Sequence, residues 1–275
     1  MRSLGADLPR LMALSVAALV VLAPYVFMLS ASVKPGSEIF QSSLQLWPQR
    51  FYGWENYKKA LTAVPLLRFL VNGAVVCAVI LFFQLLFAVP CAYALAKLRW
   101  RGREAVFALI LLGLLIPAHV PALPLYIGLA KLGLLDSYTA LAAPFAISVF
   151  AIFMFRQAFK AMPDELIHAA RLDGMNELSI VWRVILPNAW PTATAFATFS
   201  IVAHWNDLFW PLIVIQTQSM ATPALGVLFF RAEEAGNDTG ALMAASVLVT
   251  APMVIAFLLA QRRFIQGVAT AGLKG

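Results

Sequence analysis

Charge is what this 275-residue chain has least of: 12% of its residues are Asp, Glu, Lys or Arg, about half the share that keeps an ordinary domain in water. Hydrophobic residues make up 62% and the mean hydropathy is +0.84, which excludes a water-soluble globule and leaves a surface that mostly faces lipid. Cysteine is nearly absent. Cys77 and Cys91 share one apolar run, and 14 helical residues would hold them roughly 21 Å apart, too far to bridge; they read as packing groups. No G-x-x-x-x-G-K-[ST] phosphate loop occurs, so the chain holds no nucleotide motor of that kind. The three histidines, His119, His168 and His204, fall in separate segments without metal-ligand spacing, and no metal site is expected. The net charge of +7 could suit nucleic acid or an anionic membrane face; the composition selects the membrane and excludes nucleic acid as a partner.

What is present is a set of long uncharged runs. A helix needs about 20 apolar residues to cross the hydrocarbon, and a charge inside it is expensive. Uncharged runs of 23, 28, 26, 19, 23 and 23 residues lie between Arg10 and Lys34, Arg68 and Lys97, Glu104 and Lys131, Asp136 and Arg156, Arg183 and Asp207, and Asp238 and Arg262. The expected spans are therefore 11–33, 70–96, 106–130, 137–155, 188–215 and 240–261, the last five within a core of 69–262. A seventh run, Leu208 to Phe230, carries Pro211, Gln216, Thr217, Gln218, Ser219, Thr222 and Pro223. Its start reads as the end of the fifth span and its polar remainder as an extramembrane loop.

Six spans put both termini on one side. That side holds 13 Lys and Arg against seven on the other, which places residues 1–10 and 263–275 in the cytoplasm and the 34–68 loop outside it. A cleaved signal peptide is the competing reading of the start, but 23 residues exceed its usual apolar region of about 7–15. The outer loop, with Trp47, Pro48, Tyr52 and Trp54, suits the membrane interface.

The inner loop carries the strongest local signals. Pro163 suits a first helical position, with Asp164 and Glu165 where the helix dipole favours negative charge. Leu166, Ala169, Ala170 and Asp173 follow at spacings of three and four and give one small, nearly flat face. Gly174 stops that helix, and Asn176 caps a second one that runs to Pro187. The expectation is a bent helical knob, able to dock in a groove on another protein or simply to join two spans.

His168-Ala169-Ala170, then Asp173-Gly174, then Val184-Ile185-Leu186-Pro187 resembles the EAA loop of binding-protein-dependent ABC importer permeases. Val184 replaces the family's usual Ile, and His168 stands where Glu is usual, removing the charge for an ion pair with the ATPase. Leu134 to Tyr138, Phe155-Arg156-Gln157, Trp205-Asn206-Asp207 and Trp210-Pro211 are similar to the carbohydrate-importing subgroup, which includes the second permease of maltose and glycerol-3-phosphate importers. The resemblance implies an all-α integral membrane protein of six transmembrane helices with the type I ABC importer permease fold. It implies a cytoplasmic coupling helix in the 163–186 loop, with Pro163, Glu165, His168, Ala169, Ala170, Asp173, Gly174, Val184 and Pro187 as its coupling positions. It also implies a multi-pass protein of the bacterial inner membrane that takes up a sugar or related polyol. The implied partners are a second permease, two copies of a cytoplasmic ABC ATPase that bind the ATP and magnesium, an extracytoplasmic solute-binding protein and membrane lipid. No cofactor is expected in this chain.

Among polar groups in the runs, Trp205, Asn206 and Asp207 offer an aromatic face and hydrogen-bonding groups for a polyol, although an interfacial belt would use the same residues. Asn72 and Gln84 can line a path or join helices. Pro117, Pro121 and Pro124 would kink the third span. Ser200 and His204, one helical turn apart, are the only handle for the alternative class, an intramembrane hydrolase; otherwise the chain is a transport subunit and no enzyme.

Overall fold

The computed structural model describes residues 4–39, 45–117, 119–231 and 238–272. Parts of the expected N-terminus (1–3), outer loop (40–44) and C-terminus (273–275), with Ala118 of the third run, lie outside them. Among the described residues the fold is all helical. In order the helices are α1 (Leu4–Ser32), α2 (Gly36–Ile39), α3 (Gly53–Thr62), α4 (Leu66–Ala96), α5 (Arg103–Leu112), α6 (Ala122–Lys131), α7 (Tyr138–Ala142), α8 (Val149–Lys160), α9 (Glu165–Leu172), α10 (Glu177–Ile180), α11 (Leu186–Asn188), α12 (Trp190–Trp205), α13 (Phe209–Val214), α14 (Pro223–Leu228) and α15 (Thr239–Gly272).

The six uncharged runs do not fold as six unbroken helices. Three do: Pro9–Ser32 of α1, α4, and Thr239–Leu258 of α15 are long and apolar enough to cross a membrane. The fourth run is α7 and α8, bent by 45° at a break where Pro144 lies in a 3-10 turn and the Ser148 hydroxyl caps α8 by accepting from the Ala151 N–H at 3.1 Å. The third run is interrupted rather than merely kinked. After α5 and a 3-10 turn, Ile116 is extended and α6 begins only at Ala122, since Pro117 and Pro121 both lack the N–H a helix would need. The fifth run stops at Trp205 and restarts at Phe209, with the Asp207 carboxylate accepting from the Trp210 N–H at 3.3 Å. By contrast α8 continues beyond residue 155 to Lys160, and α15 beyond 261 to Gly272.

The chain forms two compact units, Met1–Arg68 with Gly226–Pro252, and Phe69–Leu225 with Met253–Gly275. In the first, Asn56 is buried and its amide donates to the carbonyls of Ser32 (3.0 Å) and Lys34 (2.7 Å), pinning α3 to the end of α1. Lys59 pairs with Asp238 at 2.6 Å.

The core of the second unit gathers α4, α5, α8, α9 and the stretch from α10 to α12 around Tyr93, Phe155, Phe159, Ile180, Ile185 and Phe196. Each such side chain contributes roughly 1.5–3 kcal/mol when fully buried against water; between helices in lipid the gain is close packing instead. A second cluster joins α4, α6, α7 and α13 through Ile80, Leu141, Trp210 and Val214.

Candidate functional site

The 163–187 loop folds into short helices, as its capping signals predict, with a different internal layout. Pro163 precedes the helix; α9 starts at Glu165, and the Asp164 carbonyl accepts from the N–H groups of Ile167 and His168, both at 3.0 Å. Asp173 caps the helix end, and Gly174 follows with φ +79°. A Cβ there would meet nothing within 4 Å, so the glycine answers the left-handed backbone rather than a lack of space. The Asn176 side chain accepts from the Ser179 N–H at 2.8 Å, the cap expected from sequence. Beyond α10 the chain widens into a π turn, Val181–Ile185, before α11. Val184 lies half-buried in that turn and Pro187 is exposed on α11.

The flat face expected of α9 divides in two. Ala170, 5% exposed, turns inward with Ile167 onto the Phe155 and Phe159 core, because residues three apart share a helix face. Its placement makes it a packing position within this chain. Glu165, His168, Ala169, Asp173 and Gly174 are exposed, together with Leu172 (89%) and Leu178 on the neighbouring helix. Motif spacing does not single out those two leucines; the signal in the sequence is a large apolar side chain beside a helix end.

Charged groups staple the knob to the membrane helices. Lys97, at the end of α4, donates to the Met162 carbonyl (2.6 Å) and the Asp164 carboxylate (2.5 Å), and that bond with its charge holds the Asp164 carboxyl below the usual range. Arg171 donates to Glu177 at 2.9 Å and Tyr93 of α4 donates to the same carboxylate at 2.5 Å. The Arg171 bond is the larger reason that Glu177 also titrates low. Arg156, 3% exposed, donates twice to Glu104 (2.7 and 2.6 Å) and once to the Leu95 carbonyl (3.2 Å), with its guanidinium 3.7 Å from the centre of the Phe107 ring. One buried guanidinium, reaching an exposed carboxylate and a backbone carbonyl, thus ties α4, α5 and α8 together.

The polar residues of the membrane runs have different roles. Asn72, 1% exposed, donates to the carbonyls of Ser219 (3.0 Å) and Ala221 (2.9 Å) and accepts from the Tyr138 hydroxyl (2.6 Å), a full set for a clamp. Trp205 is buried, and beside it Gly73 admits Pro223 so closely that a Cβ would lie 2.5 Å from the proline ring. Asn206 donates back to Val202 at 2.8 Å. Asp207 remains partly accessible. Ser200 and His204 do not meet: Gln84 accepts from the Ser200 hydroxyl at 2.6 Å and its amide lies 3.4 Å from His204 Nε2. A hydrolase would need its base on the serine, so this geometry gives that alternative nothing. Among the described residues no cluster of His, Cys, Asp or Glu could hold a metal ion.

The family model of the binding-protein-dependent transport system inner membrane component matches residues 84–270. The chain belongs to that family. This permease is similar to the arabinooligosaccharides transport system permease protein AraQ of Halalkalibacterium halodurans, 33% identical over 94% of this chain and 93% of the relative. It is also similar to the sn-glycerol-3-phosphate transport system permease protein UgpE of Yersinia pestis biovar Antiqua, 32% identical over 92% of each. Among solved structures it is similar to a chain of a bacterial ABC transporter involved in the import of the acidic polysaccharide alginate, with 25% identity, TM-score 0.82, and coverage of 96% of this chain and 99% of that one. The permease therefore has the type I ABC importer fold, and its work is transport through the inner membrane.

Proposed function

We propose that this permease forms half of the translocation pathway of an ATP-driven importer for a sugar or related polyol, delivered by an extracytoplasmic binding protein. The supporting observation is the knob: a short helix held by buried packing and by the Lys97–Asp164 and Arg171–Glu177 ion pairs, with Leu172 and Leu178 facing outward. In this reading six spans cross the membrane with both termini in the cytoplasm, the broken runs counting as one span each. A second permease completes the pathway, and two ATPase subunits carry the ATP and magnesium.

The knob would sit in a groove of one ATPase through Glu165, His168, Ala169, Leu172, Asp173 and Gly174. Closure of the ATPase pair would displace it. Because Ile167, Ala170, Ile180 and Ile185 are embedded among α4, α8 and α12, the displacement passes to those helices as a rigid-body motion. Reconstitution in vesicles tests the division of labour. The permease alone should show no ATP-driven uptake, and uptake should need the second permease, the ATPase and the binding protein; ATP-driven uptake by the permease alone would overturn the reading.

A further inference from the structure

The three interrupted runs of the second unit break at one place. His119 lies in the gap before α6, Phe145 in the turn between α7 and α8, and Asp207 in the gap between α12 and α13. Together with His204, Phe209 and Trp210 they line a cavity of about 220 Å³. Irregular backbone at membrane depth is tolerated only inside protein or beside water, and ionisable groups there face a cavity or a partner rather than lipid. The walls are aromatic and ordered. The His119 ring meets Phe209 edge to face at 4.3 Å, and Phe145 lies 4.9 Å from His204 and 6.2 Å from Trp210. Gln84 fixes two of these groups, donating to the Phe145 carbonyl at 3.0 Å and meeting His204 Nε2. Among the described residues, nothing hydrogen-bonds the His119 ring, and Asp207 receives only the Trp210 N–H.

The chemistry of this lining is selective. Aromatic faces stack on the C–H face of a sugar ring, while a carboxylate and imidazoles accept its hydroxyls. No Lys or Arg lines the cavity, and none occurs in residues 105–130, 137–155 or 184–206, so a phosphate or uronate would meet Asp207 with no cation to offset it. The volume falls below the roughly 300–1,000 Å³ of sites for drug-sized ligands and suits a single ring. We infer that this pocket is a subsite for one ring of a neutral saccharide and that it disfavours phosphorylated or acidic cargo. The inference rests on the reading of the chain as a saccharide-importing permease and narrows its cargo.

The test uses the complete importer in vesicles, with Cys77→Ala and Cys91→Ala as background and His119→Cys to place a reporter thiol at the pocket. N-ethylmaleimide, an uncharged reagent, labels that thiol; the probes are arabinotriose, lactose and sn-glycerol 3-phosphate. A neutral saccharide should slow labelling at least threefold and sn-glycerol 3-phosphate should not. Asp207→Asn, which keeps an acceptor for Trp210, should reduce the discrimination between them. Equal or stronger protection by the phosphate, or none by either saccharide, would overturn the subsite. ATP-dependent uptake of either saccharide by vesicles of the importer that keeps His119 tests the parent reading separately: uptake there without protection of the reporter thiol sinks the subsite alone, and a His119 complex that carries nothing sinks the importer.

Discussion

Asn72 makes a quantitative test of whether a polar group in a membrane span lines a path or closes a joint. Its amide donates to two carbonyls of the 219–221 loop and its oxygen accepts from Tyr138. Asn72→Ala removes all three bonds and leaves the buried Ala221 carbonyl without its donor, with the Ser219 carbonyl and the Tyr138 hydroxyl unpaired in part-buried positions. Each net bond is worth about 0.5–1.5 kcal/mol, and a stranded buried partner costs about 1–3 kcal/mol, so the loop should lose roughly 2–4 kcal/mol of local stability. Tyr138→Phe removes one bond and leaves the buried Asn72 oxygen without its donor while the two amide bonds stay, and should cost about 1 kcal/mol, the low end for a stranded acceptor. The assay is hydrogen exchange of the amides of 217–222 in the assembled importer, where local opening sets the rate. At 1.4 kcal/mol per factor of ten, Asn72→Ala should speed exchange by roughly thirtyfold to several hundredfold and Tyr138→Phe by about fivefold. Asn72→Asp supplies the sign: it keeps the acceptor for Tyr138 but sets an anion against two carbonyl oxygens, so it should be at least as damaging as Ala. Unchanged exchange in Asn72→Ala with impaired uptake would refute the clamp and return Asn72 to the pathway.

Gly174→Ala should cost about 1 kcal/mol through its left-handed backbone, whereas Gly174→Asn should be nearly neutral; thermal denaturation of the complex checks the order, and equal effects would remove the conformational argument. Arg156→Lys keeps a charge but cannot reach Glu104 and the Leu95 carbonyl through separate nitrogens while lying flat over the Phe107 ring, so protease resistance of the α5–α8 segment should fall by at least tenfold in rate. Asp164 has its folded pKa depressed by Lys97, so its tether holds above the ordinary carboxylate range near 4 and is lost as pH falls below it. Relative to their intrinsic exchange rate at each pH, the α9 amides should lose protection between pH 5 and pH 3, and Lys97→Met should flatten that dependence. His168→Glu should keep assembly and change substrate-stimulated ATP hydrolysis by less than about tenfold, since an exposed ion pair is a weak contact; a much larger loss would show an interface rebuilt around the histidine.

Much of the architecture was legible because its signals are strong and local. Uncharged runs locate the apolar segments, Asn176 marks a cap, and Gly174 marks a stop. Helix continuity was not legible: Pro9, Pro24, Pro90 and Pro252 lie inside unbroken helices, whereas Pro117 and Pro121 accompany a break. A proline removes one hydrogen bond in either case, and packing of the flanking turns decides whether the helix resumes in line. The site was legible to the same degree. The exposed positions of α9 follow from its period, but the inward turn of Ala170 depends on Phe155 and Phe159, which are near it only in space. Asn72 could not be assigned from sequence because its partners lie 66 and about 150 residues away.

The π turn has a consequence for angular phase. Val181, Ile185, Ala189 and Ala193 are all buried on one side, yet four residues of α-helix advance about 400°, and three such steps would drift about 120° around the axis. One extra residue in a turn withdraws about 100° of that drift. The wide turn thus acts as a phase corrector between the knob and α12, keeping a row of every fourth residue on the core side. Deleting a single residue from 181–185 would swing everything downstream by about 100°, so the chain between knob and membrane should tolerate changes of side chain far better than changes of length.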